Sequence, residues 1–165
     1  MLFRSLPSLY YLLAALHADG RRPSNPDDLA RFIVRRQAPN GGFVDLRVPD
    51  KQPVDTETHI AHTYHAVASL KLLNVAVPNS DRCIAFAQKC QVTPQTTQLD
   101  DSFGTGGFLF DPDVTRPGNY PDVYYTFAGL QVLPLLDAAP ALLQVGWPSL
   151  GARRVVSVVP VPFKT

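Results

Sequence analysis

YHAVASL at residues 64–70, inside the longer run DTETHIAHTYHAVASLKLL at residues 55–73, decides the fold, because it is written more than once. FAGLQVL at residues 127–133 repeats it at an offset of 63, and YYLLAAL at residues 10–16 precedes it at an offset of 54. A threonine, Thr63 or Thr126, stands directly before each of the two later copies. All three copies are apolar nearly all round, the mark of a helix covered on more than one side. Pro134 follows the last copy directly, inside the last inner segment, where proline predicts a kink or an early end.

A second kind of helix alternates with the first. In residues 27–37, Leu29, Phe32 and Ile33 recur at helical spacing while Arg31 and Arg35 share the opposite side. In residues 81–91, Cys83, Phe86, Ala87 and Cys90 hold the same phase, and Gln91 matches Gln37 at the end. This amphipathic helix reads as an outer one. Asn25 or Pro26-Asp27 can start its first copy and Ser80-Asp81 its second. The predicted order is inner, outer, inner, outer, inner. After each outer helix comes Gly-Gly-Phe, at residues 41–43 and 106–108. Self-similarity at 54 to 63 residues is the signature of stacked helical units. The sixteen prolines fall mainly between these blocks, as separators, because proline is tolerated in a helix's first turn and breaks its interior. Residues 1–139 therefore read as all-α helical hairpin repeats. Residues 140–165 match no repeat and are left as an unassigned tail, an edge strand or loose segment around residues 155–161.

Composition narrows the function classes. The chain has 165 residues, 45% hydrophobic and 18% charged, and a formal net charge of +1, the pattern of a folded domain rather than a disordered one. Fifteen basic against fourteen acidic residues leave no net field to draw a polyanion, which argues against nucleic acid as a partner. No apolar run reaches the ~18 residues of a membrane-spanning helix. The start of the chain, with Arg4 and an apolar run over residues 9–16, imitates a short signal peptide, but Pro7 and Tyr10-Tyr11 are awkward in such a core and the repeat explains the segment better. Two cysteines seven residues apart make neither a disulfide framework nor a four-ligand zinc site, so a cytoplasmic location is expected.

The order of these blocks resembles the repeat of the protein prenyltransferase β subunits and their squalene and terpene cyclase relatives: a helix ending in Gln, then Gly-Gly-Phe, a proline-containing linker, and an Asp/His-plus-Tyr-Thr element opening an apolar helix. Residues 55–73 are similar to an early repeat of the farnesyl and type I geranylgeranyl transferase β subunits. YYLLAALHADGRRPSNPDDLARFIVRRQ at residues 10–37 fits the preceding pair, and PDVYYTFAGLQVL at residues 121–133 fits a later repeat start. The resemblance implies an α-α toroid, here about half a ring, whose inner helices line an apolar funnel for an isoprenoid. It also implies transfer of an isoprenyl group from its diphosphate to a protein cysteine, once missing repeats and an α subunit complete the ring. Self-association is a second way to cover the open flanks. Two other readings stay open: a catalytically silent helical-repeat domain that binds a protein or an apolar ligand, and a terpene-cyclase relative.

In that family zinc is held by an Asp, a Cys two residues later and a His from a later repeat, and turns the acceptor thiol into a thiolate. The matching element here is Asp122-Val123-Tyr124, with tyrosine in the cysteine position. No cofactor is therefore expected within this chain, zinc being expected only of a complete member. His59, His62 and His65, just after Asp55 and Glu57, form the sharpest local cluster. On a helix, His59 and His62 could share a metal while His65 turns away. Against that, His59 and His62 stand at positions matched by Asp122 and Tyr125, at the mouth of an inner helix, where they would bond loops or line the funnel rim. Tyr64, His65, Tyr124 and Tyr125, with Phe127, are the candidate pocket lining. Asp100-Asp101 lacks the third spaced acid of a cyclase motif, and residues 104–107 lack the Lys-Ser/Thr of a phosphate loop. Cys83 and Cys90 read as buried thiols, and Arg21-Arg22 and Arg35-Arg36 as solvated charge.

Overall fold

The computed structural model describes residues 5–45, 52–93 and 106–140. The unassigned tail beyond residue 140, Asp100-Asp101 and residues 104–105 lie outside them. Among the described residues there are five α-helices, α1 (Leu6–Ala18), α2 (Pro26–Val34), α3 (Ile60–Leu72), α4 (Ser80–Lys89) and α5 (Val123–Leu135), and a 3-10 turn at Asp55–Glu57. The inner helices α1, α3 and α5 lie side by side with α3 in the middle, while α2 packs on α3 and α4 on α5. None of these helices is long and apolar enough to cross a membrane.

The inner helices are equal in length, 13 residues each, and begin and end at matching repeat positions. Matching residues start them. The Ser5 side chain accepts from the Ser8 amide, that of His59 from Ala61, and that of Asp122 from Tyr125. Matching residues also stop them, for Gly20, Asn74 and Asp137 all take positive φ. The next amide then reaches back, from Arg21 to Leu16 O, Val75 to Leu70 O and Ala138 to Leu133 O, at 2.8, 2.9 and 2.9 Å. This left-handed closure satisfies carbonyls the helix leaves open. Pro134 does not end α5 early, since it lies in the last turn and the helix runs on to Leu135, the match of Leu72. α2 stops at Val34, three residues before Gln37, because Gln37 leaves the helix to bridge Phe43.

The joint between hairpins is built twice. Gln37 bridges Phe43 and Gln91 bridges Phe108, each pair antiparallel. The Phe43 amide then donates to Thr63 Oγ1 at 3.0 Å, and the Phe108 amide to Thr126 Oγ1 at 3.1 Å. Thus the threonine that precedes each apolar run ties it to the preceding turn. Gly41, at φ +92°, lies so close to α4 that a Cβ there would come within 2.3 Å of the Arg82 carbonyl carbon. Only glycine lets the turn sit there. Phe110 O accepts the Ile60 amide at 2.7 Å, so the second turn also closes the start of α3.

α3 carries the core. Ile60, Ala66, Val67 and Leu70 are fully buried, together with Phe43, Phe86 and Phe108 from the turns and α4. Fully burying each large aliphatic side chain contributes roughly 1.5–3 kcal/mol. Thr63 is equally buried. Replacing it by valine leaves the Phe43 amide without its acceptor, and the expected loss is ~1–3 kcal/mol in urea denaturation, with Thr63→Ser keeping most of the stability.

Candidate functional site

Tyr10, Tyr64 and Phe127 occupy one repeat position on α1, α3 and α5. Because the helices are in register, the three rings form a ladder, with centroids 5.4 Å apart for Tyr10 and Tyr64 and 5.6 Å for Tyr64 and Phe127. The two hydroxyls of Tyr10 and Tyr64 share a hydrogen bond of 2.8 Å. Tyr11 widens the strip on one side, 5.3 Å from Tyr10 and 5.8 Å from His65, and it lies within electrostatic reach of Tyr124 on the other side. Burial, then the bond to Tyr10, pushes the Tyr64 phenol well above the usual tyrosine range, and burial raises Tyr124 too. Tyr11, Tyr124 and Phe127 are 60%, 46% and 47% exposed, an unusual exposure for large rings and a surface available to a ligand. The wall is aromatic and carries no formal charge. Such a surface binds apolar chains through dispersion and contact with π faces, and holds neither a nucleophile nor a general acid poised near neutral pH.

The structure brings Tyr64 and His65 together, 5.3 Å between ring centroids, while Tyr124 has its ring contact with Tyr125 at 5.9 Å. Tyr125 turns toward the loop, 5.0 Å from His59 and 5.9 Å from Phe110. Tyr10 and Tyr11 were not among the candidates read from the sequence. The signal was present in the alignment, since Tyr10 matches Tyr64 and Tyr11 matches His65.

His62 and His65 lie on α3, and His59 stands at its mouth, as its match with Asp122 implied, rather than on the helical face a shared metal would need. His59 lies before α3 in extended backbone, at φ −147° and ψ 133°, where its Nδ1 accepts the Ala61 amide at 3.1 Å. That bond requires a neutral ring with its proton on Nε2. The ring stacks on Phe110 at 5.4 Å and comes within 4.8 Å of His62. His65 is buried against Tyr10, Tyr11 and Tyr64, and neither its Nδ1 nor that of His62 makes a hydrogen bond. Burial, reinforced by the neighbouring histidines, pulls His59 down to about 3 and His65 to about 4. Burial also lowers His62, opposed by Asp45. Asp45 itself accepts the Leu6 amide at 2.8 Å, tying the first turn to the start of α1.

The zinc set implied by the resemblance does not fit the residues present. The Asp122 carboxylate accepts the Tyr125 amide at 2.7 Å as the cap of α5, and the residue two positions on is a phenol. Among the described residues, no group of three His, Cys, Asp or Glu side chains is placed to hold a metal ion. Asp55 is spent on the amide of Asn40 at 2.8 Å. Cys83 on α4 and Cys90 at its C-cap are free, buried thiols, pushed up by burial, Cys83 to about 12. Arg21, Arg22 and Arg35 are exposed, but Arg36 is not the solvated charge expected of it. Once α2 ends, the bridge at Gln37 folds Arg36 inward, with its guanidinium 3.5 Å from the Phe32 ring centroid and donating to Phe32 O at 2.6 Å. Asn119, also overlooked in the sequence, is buried and organises the loop before α5 by donating to Asp111 O and Asp113 O at 3.0 and 2.7 Å.

Histidines whose folded pKa values lie below the unfolded one bind fewer protons folded than unfolded. Their contribution is therefore present above about pH 6.5 and is lost as pH falls toward 4 and 3. His59→Asn keeps a capping side chain and removes one titrating group, so the pH dependence of the unfolding free energy between pH 6.5 and 4 should become shallower. An unchanged slope would separate His59 from it. Asp122→Ala should cost about 0.5–2 kcal/mol, and Asp122→Ser far less, which a chemical denaturation series measures.

The family model of the prenyltransferase alpha-alpha toroid domain matches residues 4–109, from the start of α1 through the second Gly-Gly-Phe turn. No curated protein matches the chain. The matched stretch is well over half of the sequence and contains both Gly-Gly-Phe turns, and the chain belongs to the prenyltransferase α-α toroid family.

Proposed function

We propose that this chain supplies the aromatic wall of an isoprenoid site of the protein prenyltransferase β-subunit type. The observation that carries the reading is the ladder of Tyr10, Tyr64 and Phe127 flanked by Tyr11 and Tyr124, which is uncharged and spans three inner helices. An isoprenoid offers methyl groups and double bonds along a flexible chain, and a strip of edge-on and tilted rings suits both. The helices are pinned at both ends, so the rings are ordered before a ligand arrives and little freedom is lost on binding.

In the complete assembly, the isoprenyl group would move from its diphosphate to the sulfur of a protein cysteine, with an α subunit and further repeats beside this chain. This chain's part is to bind and orient the isoprenoid and keep water from it. The thiolate would have to be generated elsewhere, because Asp122 is committed to its cap and Tyr124 stands in the cysteine's place. That same observation favours a second reading, a catalytically silent domain that uses the strip to hold an apolar ligand or a protein. A terpene-cyclase relative would use the same wall with an acidic motif. Two free thiols, both buried, support a reducing, cytoplasmic setting.

Titration calorimetry with farnesyl diphosphate, geranylgeranyl diphosphate and diphosphate alone tests the site. Both isoprenoids should bind, and Phe127→Ala should weaken them about tenfold, ~1.4 kcal/mol. Equal binding of diphosphate alone, or no binding of either isoprenoid, contradicts the proposal. Isoprenyl transfer to a cysteine-terminated peptide on adding an α subunit separates the β-subunit reading from the silent one.

A further inference from the structure

Tyr10 and Tyr64 bring two hydroxyl groups to within 2.8 Å of each other in the seam between α1 and α3. Two phenols hold two O–H protons, and one bond uses only one of them. Whichever hydroxyl donates, the other keeps a proton to give, and among the described residues neither makes a further hydrogen bond. Tyr64 is 8% exposed and Tyr10 half-buried, so the remaining proton lies where little water reaches it. His65 adds a second polar atom in the same place. Its ring meets both tyrosines at 5.3 Å, it is 1% exposed, and its Nδ1 has no partner among the described residues. These groups are neutral near pH 7, because burial, then the bond to Tyr10, raises the Tyr64 phenol while burial lowers His65. The ionisable groups that act on Tyr64 are Tyr10, Tyr11 and Tyr124, with no Lys or Arg among them. Tyr10 and Tyr64 are each the fifth residue of a 13-residue helix, and helical side chains lean toward the N-terminus. The pair therefore lies near one end of the inner layer.

We infer that the hydroxyl pair of Tyr10 and Tyr64 selects an isoprenoid that carries an uncharged oxygen at one end, in chemical class a prenyl alcohol. The inference rests on the isoprenoid reading of the ring strip and adds the feature that tells one isoprenoid from another. A hydrocarbon end laid over the pair shuts the remaining proton off from water and returns no acceptor. A hydroxyl oxygen accepts that proton. Being donor and acceptor at once, the ligand hydroxyl also suits either tautomer of the partnerless His65 ring. A diphosphate in the same place brings several negative charges, and no cation acts on the pair to offset their loss of water. In an activated isoprenoid the diphosphate therefore lies beyond the pair. A site built to bond a hydroxyl rejects the analogue that lacks it more strongly than an apolar pocket rejects a missing methylene. The oxygen belongs at the chain's end because the pair lies near the end of the inner layer, which leaves the remaining rings to the hydrocarbon.

The test is a chemical-shift titration of the full chain, with labelled tyrosine and phenylalanine rings, against geraniol, the hydrocarbon of the same skeleton that lacks only the hydroxyl, and geranyl diphosphate. Tyr10→Phe combined with Tyr64→Phe removes both partners of the bond at unchanged shape, so the double variant should keep the wild-type circular dichroism. The ratio of geraniol to hydrocarbon affinity cancels what the two ligands differ by in water. That ratio should fall about tenfold or more in the double variant, with the hydrocarbon bound as well as before or better. Geranyl diphosphate should change by less than about threefold, since its charge lies beyond the pair. If all three bind and the ratio does not move, the inference is overturned while the isoprenoid reading stands. An equal loss for geranyl diphosphate overturns the choice of an uncharged oxygen. Binding of none of the three removes the isoprenoid reading and this inference with it.

Discussion

The amide of Phe43 is buried between two helical hairpins, and the hydroxyl of Thr63 is its acceptor. A buried amide left without an acceptor costs a large fraction of a domain's net stability. That one bond therefore fixes where the Gly-Gly-Phe turn must sit on α3, and the same bond between Phe108 and Thr126 fixes the next turn on α5. The remaining geometry follows from it. Phe43 and Phe108 fill the core beneath the inner layer, Gly41 lies against α4 where no side chain fits, and Gly129 leaves room for the Phe108 ring.

Repeating a joint repeats a register. Ser5, His59 and Asp122 are chemically unlike, yet each caps an inner helix by accepting an amide two or three residues on. Gly20, Asn74 and Asp137 close the other ends in one conformation. With start, stop and turn in phase, a side chain placed once on α3 finds its counterparts beside it on α1 and α5. The aromatic ladder is a product of that phase. The candidate site depends on that register.

The inner helices were legible in sequence because an apolar heptapeptide recurs at fixed offsets, and periodic patterns are the most readable feature of a chain. The outer helices were legible in phase, but not in their ends, since Gln37 and Gln91 continue the helical pattern while their backbones turn away to bridge Phe43 and Phe108. His59 misled for a related reason. Spacing by three with His62 suggests one helical face, whereas a histidine can cap a helix from outside through Nδ1. Arg36 looked like its exposed neighbour Arg35 because burial after a helix end leaves no periodic trace. Two of the three ladder rings, Tyr64 and Phe127, were readable, and Tyr10 and Tyr11 were passed over although the alignment already placed them opposite Tyr64 and His65.

The central claim is that α1, α3 and α5 stand in one register, so that Tyr10, Tyr64 and Phe127 touch in sequence. NOE spectroscopy on protein with selectively labelled tyrosine and phenylalanine rings measures this directly. Cross-peaks should join the Tyr64 ring to both Tyr10 and Phe127, with none between Tyr10 and Phe127. Contacts from Tyr64 to one neighbour only, or to neither, would contradict the account.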